Sequence, residues 1–394
     1  MKPSYSLASS TWDDQELAAI QNVIKTGKFS MGEYVSNFEK EFADYTGSKF
    51  AVMVNSGSSA NLALLSACRF ANNQRLQPGD EIIVPAVSWS TTYYPVNQIG
   101  CTLKFVDIDK DTLNIDATKI EEAITSRTKA ILVVNLLGNP ANWDSLKEIA
   151  DLHNLVLLED NCESLGAKFN GQMTGTFGLG GTFSTFFSHH ISTMEGGLIA
   201  TDDLEMYQTM KSIRAHGWTR DLPSENLVFN KTGDKWDDLF RFVIPGYNLR
   251  PLEMEGAIGS CQLKKLPSFI EARRENAIYF KSEMVNFENF RTQKEVGDSS
   301  WFGFSIILEG PMHGKRRQLI ANLENAGIES RPIVTGNFTR NPVINHLEHS
   351  AIPELPNADL IHDQGLFVGN HHFNLKKEID LLLQVLNDFS KGKK

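Results

Sequence analysis

The feature that most constrains the fold is an alternation between short apolar segments and helical segments across residues 50–200. The apolar segments are rich in β-branched residues and lie at 50–54, 81–84, 102–107, 130–135, 155–159 and 180–187. Between them, residues 59–70 and 143–153 have apolar side chains at helical spacing. This alternation is typical of a mostly parallel sheet with helices on both faces. The sequence therefore predicts an α/β fold for this part of the chain.

The C-terminal third has a different pattern. Residues 222–245 are polar and aromatic without periodicity, which predicts an elaborated loop. A long helical pattern follows at 252–290, then a strand-like segment at 302–308 and helical patterns at 315–326 and 377–390. We therefore predict a large α/β domain over residues 1–250, with an N-terminal arm at 1–12, and a smaller α+β domain over residues 251–394.

Composition limits the classes of partner. The chain has 394 residues, and its net charge of -10 disfavours broad contact with nucleic acid or anionic lipid. It contains no apolar run of about 18 or more residues, and the N-terminus lacks the pattern of a signal peptide, so a cytoplasmic protein without a membrane span is expected. The four cysteines form no C-x-x-C pair, which argues against a zinc ribbon or a disulfide framework. Small molecules are the expected partners.

A segment rich in glycine and serine follows the first predicted strand. Residues 55–61, which include Gly57 and Ser58, open a predicted helix. Backbone N–H groups and the dipole at a helix N-terminus favour an anion, so this segment is a candidate phosphate site. A plain serine N-cap explains the same residues, and both interpretations stay open.

Two further segments end predicted strands on the same edge of the sheet, where open α/β folds build ligand sites. Trp89 follows the second strand, and there it either stacks on a flat ring or covers the edge of the core. Asp160 ends the fifth strand. Its carboxylate either holds a pyridine nitrogen in its protonated form or simply ends the strand in solvent.

Adjacent histidines stand in residues 184–197, after the last predicted strand. His189 and His190 should project in different directions, so they make a poor metal pair, and no metal site is predicted. A histidine gives and takes protons near neutral pH, which makes one of them a candidate proton carrier. A histidine that is hydrogen-bonded in a loop is the alternative.

Taken in order and spacing, these segments resemble the sugar aminotransferases of the DegT/StrS type. Residues 32–39, 213–217 and 246–250 also fit the pattern of that family. The resemblance implies fold type I of the enzymes that depend on pyridoxal phosphate (PLP). That fold has a large domain with a mostly parallel seven-stranded sheet flanked by helices, and a smaller C-terminal α+β domain.

His189 departs from the family pattern. The aminotransferases carry at this position the lysine that binds PLP as a Schiff base, and here no lysine lies between Lys168 and Lys211. An imidazole cannot form that bond, so the resemblance implies a non-covalently bound cofactor, as PLP or pyridoxamine phosphate (PMP). The exchange is the mark of the PMP-dependent sugar 3-dehydratases of the family. No cysteine lies between Trp218 and Cys261, so the iron–sulfur cluster of some relatives is not expected.

The resemblance also implies roles for individual residues. Asp160 would pair with the pyridine nitrogen, Trp89 would stack on the ring and Glu163 would lie near the ring hydroxyl. Gly57, Ser58 and Ser184 would hold the phosphate, joined by Asn248 from a neighbouring subunit, which implies a homodimer with a shared active site. His189 would be the catalytic residue. The residues implied for binding substrate or amino donor, or for orienting His189, are Ser188, His216, Arg220, Arg250, Glu329 and Arg331.

The implied reaction removes the C3 hydroxyl of GDP-4-keto-6-deoxy-D-mannose to give GDP-4-keto-3,6-dideoxy-D-mannose, a step towards dideoxysugars such as the colitose of lipopolysaccharide O-antigens. L-Glutamate would be the amino donor, and ammonia and 2-oxoglutarate would be released. Two alternatives stay open. One is a PLP-dependent 4-keto sugar aminotransferase that tolerates the missing lysine, and the other is a non-catalytic relative that binds a sugar nucleotide.

Overall fold

The computed structural model describes residues 3–392, so the first two residues of the predicted arm and the last two of the predicted small domain lie outside the described residues. In chain order the strands are β1 (Phe50–Val54), β2 (Glu81–Pro85), β3 (Thr102–Val106), β4 (Thr128–Val134), β5 (Val156–Asp160), β6 (Lys168–Phe169), β7 (Gln172–Met173), β8 (Gly181–Ser184), β9 (Gly197–Thr201), β10 (Phe290–Arg291), β11 (Gly303–Leu308), β12 (Ser330–Arg331) and β13 (Gly365–Gly369).

The helices cover both ends of the chain as well as its centre. In chain order they are α1 (Asp14–Thr26), α2 (Glu33–Thr46), α3 (Gly57–Phe70), α4 (Ser90–Gln98), α5 (Ile120–Ala123), α6 (Trp143–His153), α7 (Leu204–Arg214), α8 (Lys235–Leu239), α9 (Glu253–Met284), α10 (Arg316–Asn325), α11 (Pro356–Gln364) and α12 (Lys376–Ser390). Among the helices of the described residues, none is long and apolar enough to cross a membrane.

The central sheet has seven strands in the order β1-β9-β8-β5-β4-β2-β3. Its pairings are parallel except for those of β9, which runs antiparallel to both β1 and β8. The predicted mostly parallel seven-stranded sheet is confirmed. The sequence pattern missed β9, because the strand itself begins with Gly197, directly after Gly196, which leaves only residues 198–200 as an apolar segment.

Helices on both faces bury the sheet, as its strand sequences require. Side chains alternate along a strand, so Leu132 of β4 faces a cluster that contains Leu64 of α3 and Val96 of α4. The neighbouring Val133 faces the opposite cluster, which contains Trp143 of α6. The continuous apolar strand sequences follow from burial on both faces.

A second, antiparallel sheet in the order β10-β11-β13-β12 lies in the C-terminal part. The N-terminal arm packs against this part of the chain. The Tyr5 backbone N–H donates to Gly327, the Glu329 N–H donates to the Tyr5 carbonyl, and the Tyr5 hydroxyl donates to the Gly369 carbonyl. The arm thus ties its own start to the second sheet. The predicted division at residue 250 stays a prediction.

Two predicted boundaries differ in ways that matter for function. The segment predicted as a strand at 180–187 ends at Ser184, and residues 185–196 form a loop that carries both histidines. The predicted loop at 222–245 contains the short helix α8. The carboxyl ends of β1, β2, β4, β5 and β8 meet at one edge of the central sheet, because these strands run in the same direction.

Candidate active site

A cavity of about 310 Å³ opens at this edge of the sheet. The segments that follow the strands form its walls, together with the N-terminal arm and the C-terminal part. It brings together most of the residues that the sequence singled out: Gly57, Ser58, Trp89, Asp160, Glu163, Ser184, Ser188, His189 and Arg331. Residues far apart in the sequence therefore form one site.

The start of α3 forms one end of the cavity. The Ser56 side chain caps the helix by accepting from the Ser59 N–H at 3.1 Å, so the N-cap interpretation is correct for Ser56. The N–H groups of Gly57 and Ser58 are the first donors of the helix, which have no carbonyl one turn earlier to bind. A Cβ at Gly57 would lie 2.7 Å from the Ser184 Cβ and 3.0 Å from the Cys162 Sγ, so only glycine fits there. The cap by Ser56 therefore leaves these N–H groups free for an anion, and the phosphate interpretation stays a prediction.

Asp160 is a buried carboxylate with a fixed orientation. Its Oδ2 accepts from Asn61 at 2.9 Å and from the Thr92 hydroxyl at 2.7 Å, and its Oδ1 accepts from the Cys162 N–H at 3.2 Å. Asn61 is itself fixed, because its Oδ1 accepts from the Thr182 hydroxyl at 2.6 Å. These neutral donors stabilise a negative charge at the floor of the cavity without cancelling it.

Glu163 lies beside Asp160 in the cavity. Its pKa is raised to about 7, chiefly by burial and in smaller part by the negative charge of Asp160, while the Leu137 N–H, which donates to its Oε2 at 3.0 Å, opposes this rise. Leu137 has φ of 55°, a left-handed conformation that holds this N–H towards the carboxylate. Near neutral pH the Glu163 carboxyl can therefore donate or accept a hydrogen bond.

His189 lies on the turn after β8 and is half-buried at the cavity wall. Its N–H donates to the Phe186 carbonyl at 2.9 Å, and its ring lies 5.2 Å from the Phe302 ring. Burial, with a further contribution from the positive charge of Arg273, lowers the pKa of His189 to about 4. Among the described residues, its Nδ1 has no hydrogen-bond partner. A neutral imidazole with a free ring nitrogen is suited to accept a proton.

His190 has a different environment. It is buried, and its Nε2 lies 3.1 Å from the Ser300 carbonyl, away from the cavity. The two adjacent rings project in different directions, as the sequence analysis expected. Of the two histidines, His189 alone lines the cavity.

Trp89 and Arg331 also line the cavity. Trp89 precedes α4 and is 55% exposed, so one face of its indole is free to cover a ring bound in the cavity. Arg331 lies on β12, where it pairs with Phe367 of β13, and its side chain is exposed at the rim. A guanidinium in that position suits an anionic group of a ligand.

Another group of predicted residues lies away from the cavity, around Trp218. The Arg220 guanidinium stacks on the Trp218 ring at 3.8 Å, and the His216 ring lies 5.1 Å from it. The Arg250 Nε donates to the Asn248 side chain at 3.0 Å. These four predicted residues are together, but the cavity of the same chain does not include them. Their contribution to the site of a neighbouring subunit stays a prediction.

Glu329 also lies outside the cavity lining. Its carboxylate accepts from the Leu7 N–H at 2.8 Å, and the Leu7 side chain does line the cavity. Glu329 therefore holds the arm against the site. Its predicted contact with substrate stays a prediction.

Sequence reasoning missed several residues of the site. Asn61 and Thr92, which orient Asp160, lie near the start of α3 and α4, helices that begin at the edge of the sheet. Polar residues in the first turns of such helices could have been recognised as neighbours of the site. Phe302 and Leu7 carried no such signal, because they reach the cavity from segments far along the chain.

The residues of the cavity fit PLP or PMP. Asp160 is aimed into a space beside an exposed tryptophan, and the glycine at the start of α3 leaves room that a Cβ would fill. Among the cavity-lining residues in the described part of the chain, none is a lysine. The site therefore suits a cofactor that is held without a covalent bond.

Comparisons with known proteins agree with this site. The model of the DegT/DnrJ/EryC1/StrS aminotransferase family matches residues 10–382. GDP-4-keto-6-deoxy-D-mannose 3-dehydratase of Escherichia coli O55:H7 is 56% identical over 385 residues, which are 97% of this chain and 99% of that protein.

Two crystal structures are similar over 97% of this chain and 100% of theirs. One is GDP-4-keto-6-deoxymannose-3-dehydratase with a trapped PLP-glutamate geminal diamine, with a TM-score of 0.95 and 55% identity. The other is a histidine-to-asparagine variant of that enzyme, ColD, with bound GDP-perosamine, with a TM-score of 0.95 and 56% identity.

Proposed function

The chain belongs to the DegT/DnrJ/EryC1/StrS aminotransferase family, and within it we propose that it is a GDP-4-keto-6-deoxy-D-mannose 3-dehydratase. One observation carries this proposal. A histidine, His189, occupies the cavity at the position of the family's lysine, while Asp160 and Trp89 are kept around it. A decayed binding protein would have no reason to keep an oriented buried carboxylate. An aminotransferase would need the lysine that this cavity lacks.

The residues of the cavity fit PLP or PMP, and with L-glutamate as amino donor the bound cofactor would supply an electron sink for breaking bonds next to the keto carbon of the sugar. We propose that Asp160 holds its ring nitrogen protonated and that Trp89 covers its ring. The N–H groups at the start of α3, with Ser58 and Ser184, would hold its phosphate. Glu163, with a pKa of about 7, is suited to share a proton with the ring hydroxyl.

His189 moves the proton. Because its imidazole is neutral near pH 7, His189 can accept a proton from the bound cofactor and sugar. It can then return this proton to the departing C3 hydroxyl, which leaves as water. The nearby rings of Phe186 and Phe302 limit the access of water to the imidazole. The released product loses its nitrogen as ammonia, so the sugar ends without an amino group.

The proposed ligands rest on those seen in the relatives, whereas the homodimer is our own proposal. ColD is seen with GDP-perosamine and with a PLP-glutamate adduct, which supports a GDP-linked sugar and L-glutamate as the ligands here. We propose that Arg331 binds an anionic group of one of them. The residues that we assign to the site of a neighbouring subunit in a homodimer are His216, Arg220, Asn248 and Arg250. A cytoplasmic location, where sugar nucleotides and glutamate meet, is also proposed.

The test is product analysis. Purified protein is incubated with PLP, L-glutamate and GDP-4-keto-6-deoxymannose, and the sugar nucleotides are identified by NMR. We expect a 3-deoxy-4-keto product, with ammonia and 2-oxoglutarate in equal amounts. A 4-amino sugar as the main product would show an aminotransferase. Tight binding without turnover would show a non-catalytic protein. A reaction that lacks glutamate is the control for the amino donor.

A further inference from the structure

Arg273 of α9 is a buried cation that has no carboxylate partner in the described part of the chain. The residue is 3% exposed, and its Nη1 donates only to carbonyl oxygens, those of Asn370 at 2.6 Å, Phe302 at 3.2 Å and Trp301 at 3.4 Å. Among residues 3–392 its Nε has no hydrogen-bond partner and its guanidinium forms no ion pair. Burial lowers the pKa of Arg273 to about 10, so the group stays charged near neutral pH. A buried, unpaired charge is costly, and its presence calls for a function.

Two of the three carbonyls that Arg273 binds, those of Trp301 and Phe302, belong to the segment that contacts both histidines. The Phe302 ring lies 5.2 Å from the His189 ring and 5.7 Å from the His190 ring. The Phe302 N–H donates to the Leu137 carbonyl at 3.0 Å, which fixes the segment from the other side. Trp301 has φ of 48°, so the segment holds an uncommon conformation that these contacts maintain. Arg273 therefore fixes the wall against which His189 packs.

The charges near His189 are few. The titratable or charged groups that share its cavity are Asp160, Cys162, Glu163, Glu195 and Arg331, and His190 adjoins it in the chain. Burial lowers the pKa of His190 as well, and the charge of Arg273 lowers the pKa values of both histidines. Arg331 and Glu195 are exposed at the rim, where solvent screens them. Arg273 is the buried cation whose field reaches the imidazole through protein.

We propose that Arg273 is a positioning residue of the reaction: it holds the His189 ring in place through residues 301–302, and its unpaired charge acts together with burial to keep that imidazole neutral, so that it can accept a proton. The inference rests on the proposed function, because the neutral imidazole is the base of the dehydration. Clamping alone does not explain the charge, since a neutral amide donor binds carbonyls as well. Asn370 shows this, because its Nδ2 donates to the Trp301 carbonyl at 3.0 Å.

The first test is a titration of His189 in the protein without cofactor. Histidine labelled at Cε1 gives NMR signals, and the His189 signal is assigned by its loss in His189→Asn. In the wild type we expect His189 to titrate well below 6.5. In Arg273→Met, and in Arg273→Gln, which keeps an amide donor for the carbonyls, its pKa should rise from about 4 towards 6.5. Arg273→Lys should stay close to the wild type.

Arg274 offers a matched control. It is the next residue of α9 and also binds carbonyls, with its Nε donating to Ser299 at 2.9 Å, and it does not contribute to the pKa shift of His189. Arg274→Met should lower stability without moving the His189 titration. A folded Arg273→Gln or Arg273→Met in which His189 titrates as in the wild type would overturn the proposal. So would a wild-type His189 that titrates near 6.5, even if neither variant folds.

The second test is the pH dependence of kcat/KM for dehydration. The acid limb should move to higher pH in Arg273→Gln, in the same direction as the His189 titration. In Arg273→Lys, which keeps the positive charge, it should stay close to its wild-type position. An acid limb that stays in place while the titration moves would refute a role of this charge in the reaction. A wild type that produces no 3-deoxy sugar at any pH, yet shows the expected titrations, would refute the proposed function and leave the assignment of the charge intact.

Discussion

Gly57→Ala should weaken cofactor binding more than it weakens the fold. The added Cβ would lie 2.7 Å from the Ser184 Cβ and 3.0 Å from the Cys162 Sγ, closer than side-chain atoms pack. Ser184 ends β8 and Cys162 lies two residues after β5, and both side chains are too short to move aside. Relief therefore requires the start of α3 to move away from Ser184. Overpacking of this kind costs about 1–3 kcal/mol. If this cost falls on the bound state, the cofactor binds about 5-fold to 150-fold more weakly.

Absorbance titration of the protein without cofactor with PLP measures this affinity, and urea unfolding measures stability. Gly180→Ala is the matched control, because its Cβ would meet the Leu64 Cδ1 at 2.8 Å, away from the cavity. We expect the control to lose stability and keep its PLP affinity. Wild-type affinity in a folded Gly57→Ala would refute the assignment of the phosphate to the start of α3.

Three further variants test separate parts of the site. His189→Lys should lose dehydration activity and form a covalent PLP adduct that borohydride traps, whereas His189→Asn should form no adduct. Absence of the adduct in the lysine variant would place His189 away from the cofactor. Thr92→Val removes a hydrogen bond to the Asp160 carboxylate worth about 1.5–3 kcal/mol. If this cost falls on the bound state, PLP affinity measured by absorbance should fall about 10-fold to 150-fold, and an unchanged affinity would contradict the role of that carboxylate. His371→Asn should change the pH dependence of stability. Burial lowers the pKa of His371 from 6.5 to about 4, so the unfolded chain takes up a proton first and the wild type loses stability as pH falls through this window. In urea unfolding, the free energy of unfolding of the variant should fall less steeply between pH 6.5 and 4 than that of the wild type, by up to about 1.4 kcal/mol per pH unit. Equal slopes in the two proteins would contradict this prediction.

The sequence predicted the central sheet well because parallel strands buried on both faces leave continuous apolar segments. Six of its seven strands were found in this way, and β9 was missed because it begins with Gly197 and its apolar segment covers only residues 198–200. The end of β8 was placed too late, since Phe186 and Phe187 continue the apolar pattern although they are exposed in the loop. The local pattern of apolar residues cannot distinguish an apolar loop from a strand, because a strand is defined by its pairing with a neighbouring strand.

The site was predictable where its residues follow strand ends. Gly57, Trp89, Asp160 and His189 reach one cavity because parallel strands finish at one edge, and the sequence order alone implies this. Arg273 could not be found in this way. It acts from the middle of a long helix, and its contact with the wall of the site depends on how two distant parts of the chain pack together.

The fate of nitrogen tests the central claim most directly. The enzyme is given L-glutamate labelled with a heavy nitrogen isotope, PLP and GDP-4-keto-6-deoxymannose, and the label is followed by mass spectrometry. A neutral His189 in place of the family's lysine predicts that the label appears in free ammonia and that the sugar product carries none. Label retained in a 4-amino sugar would contradict the account.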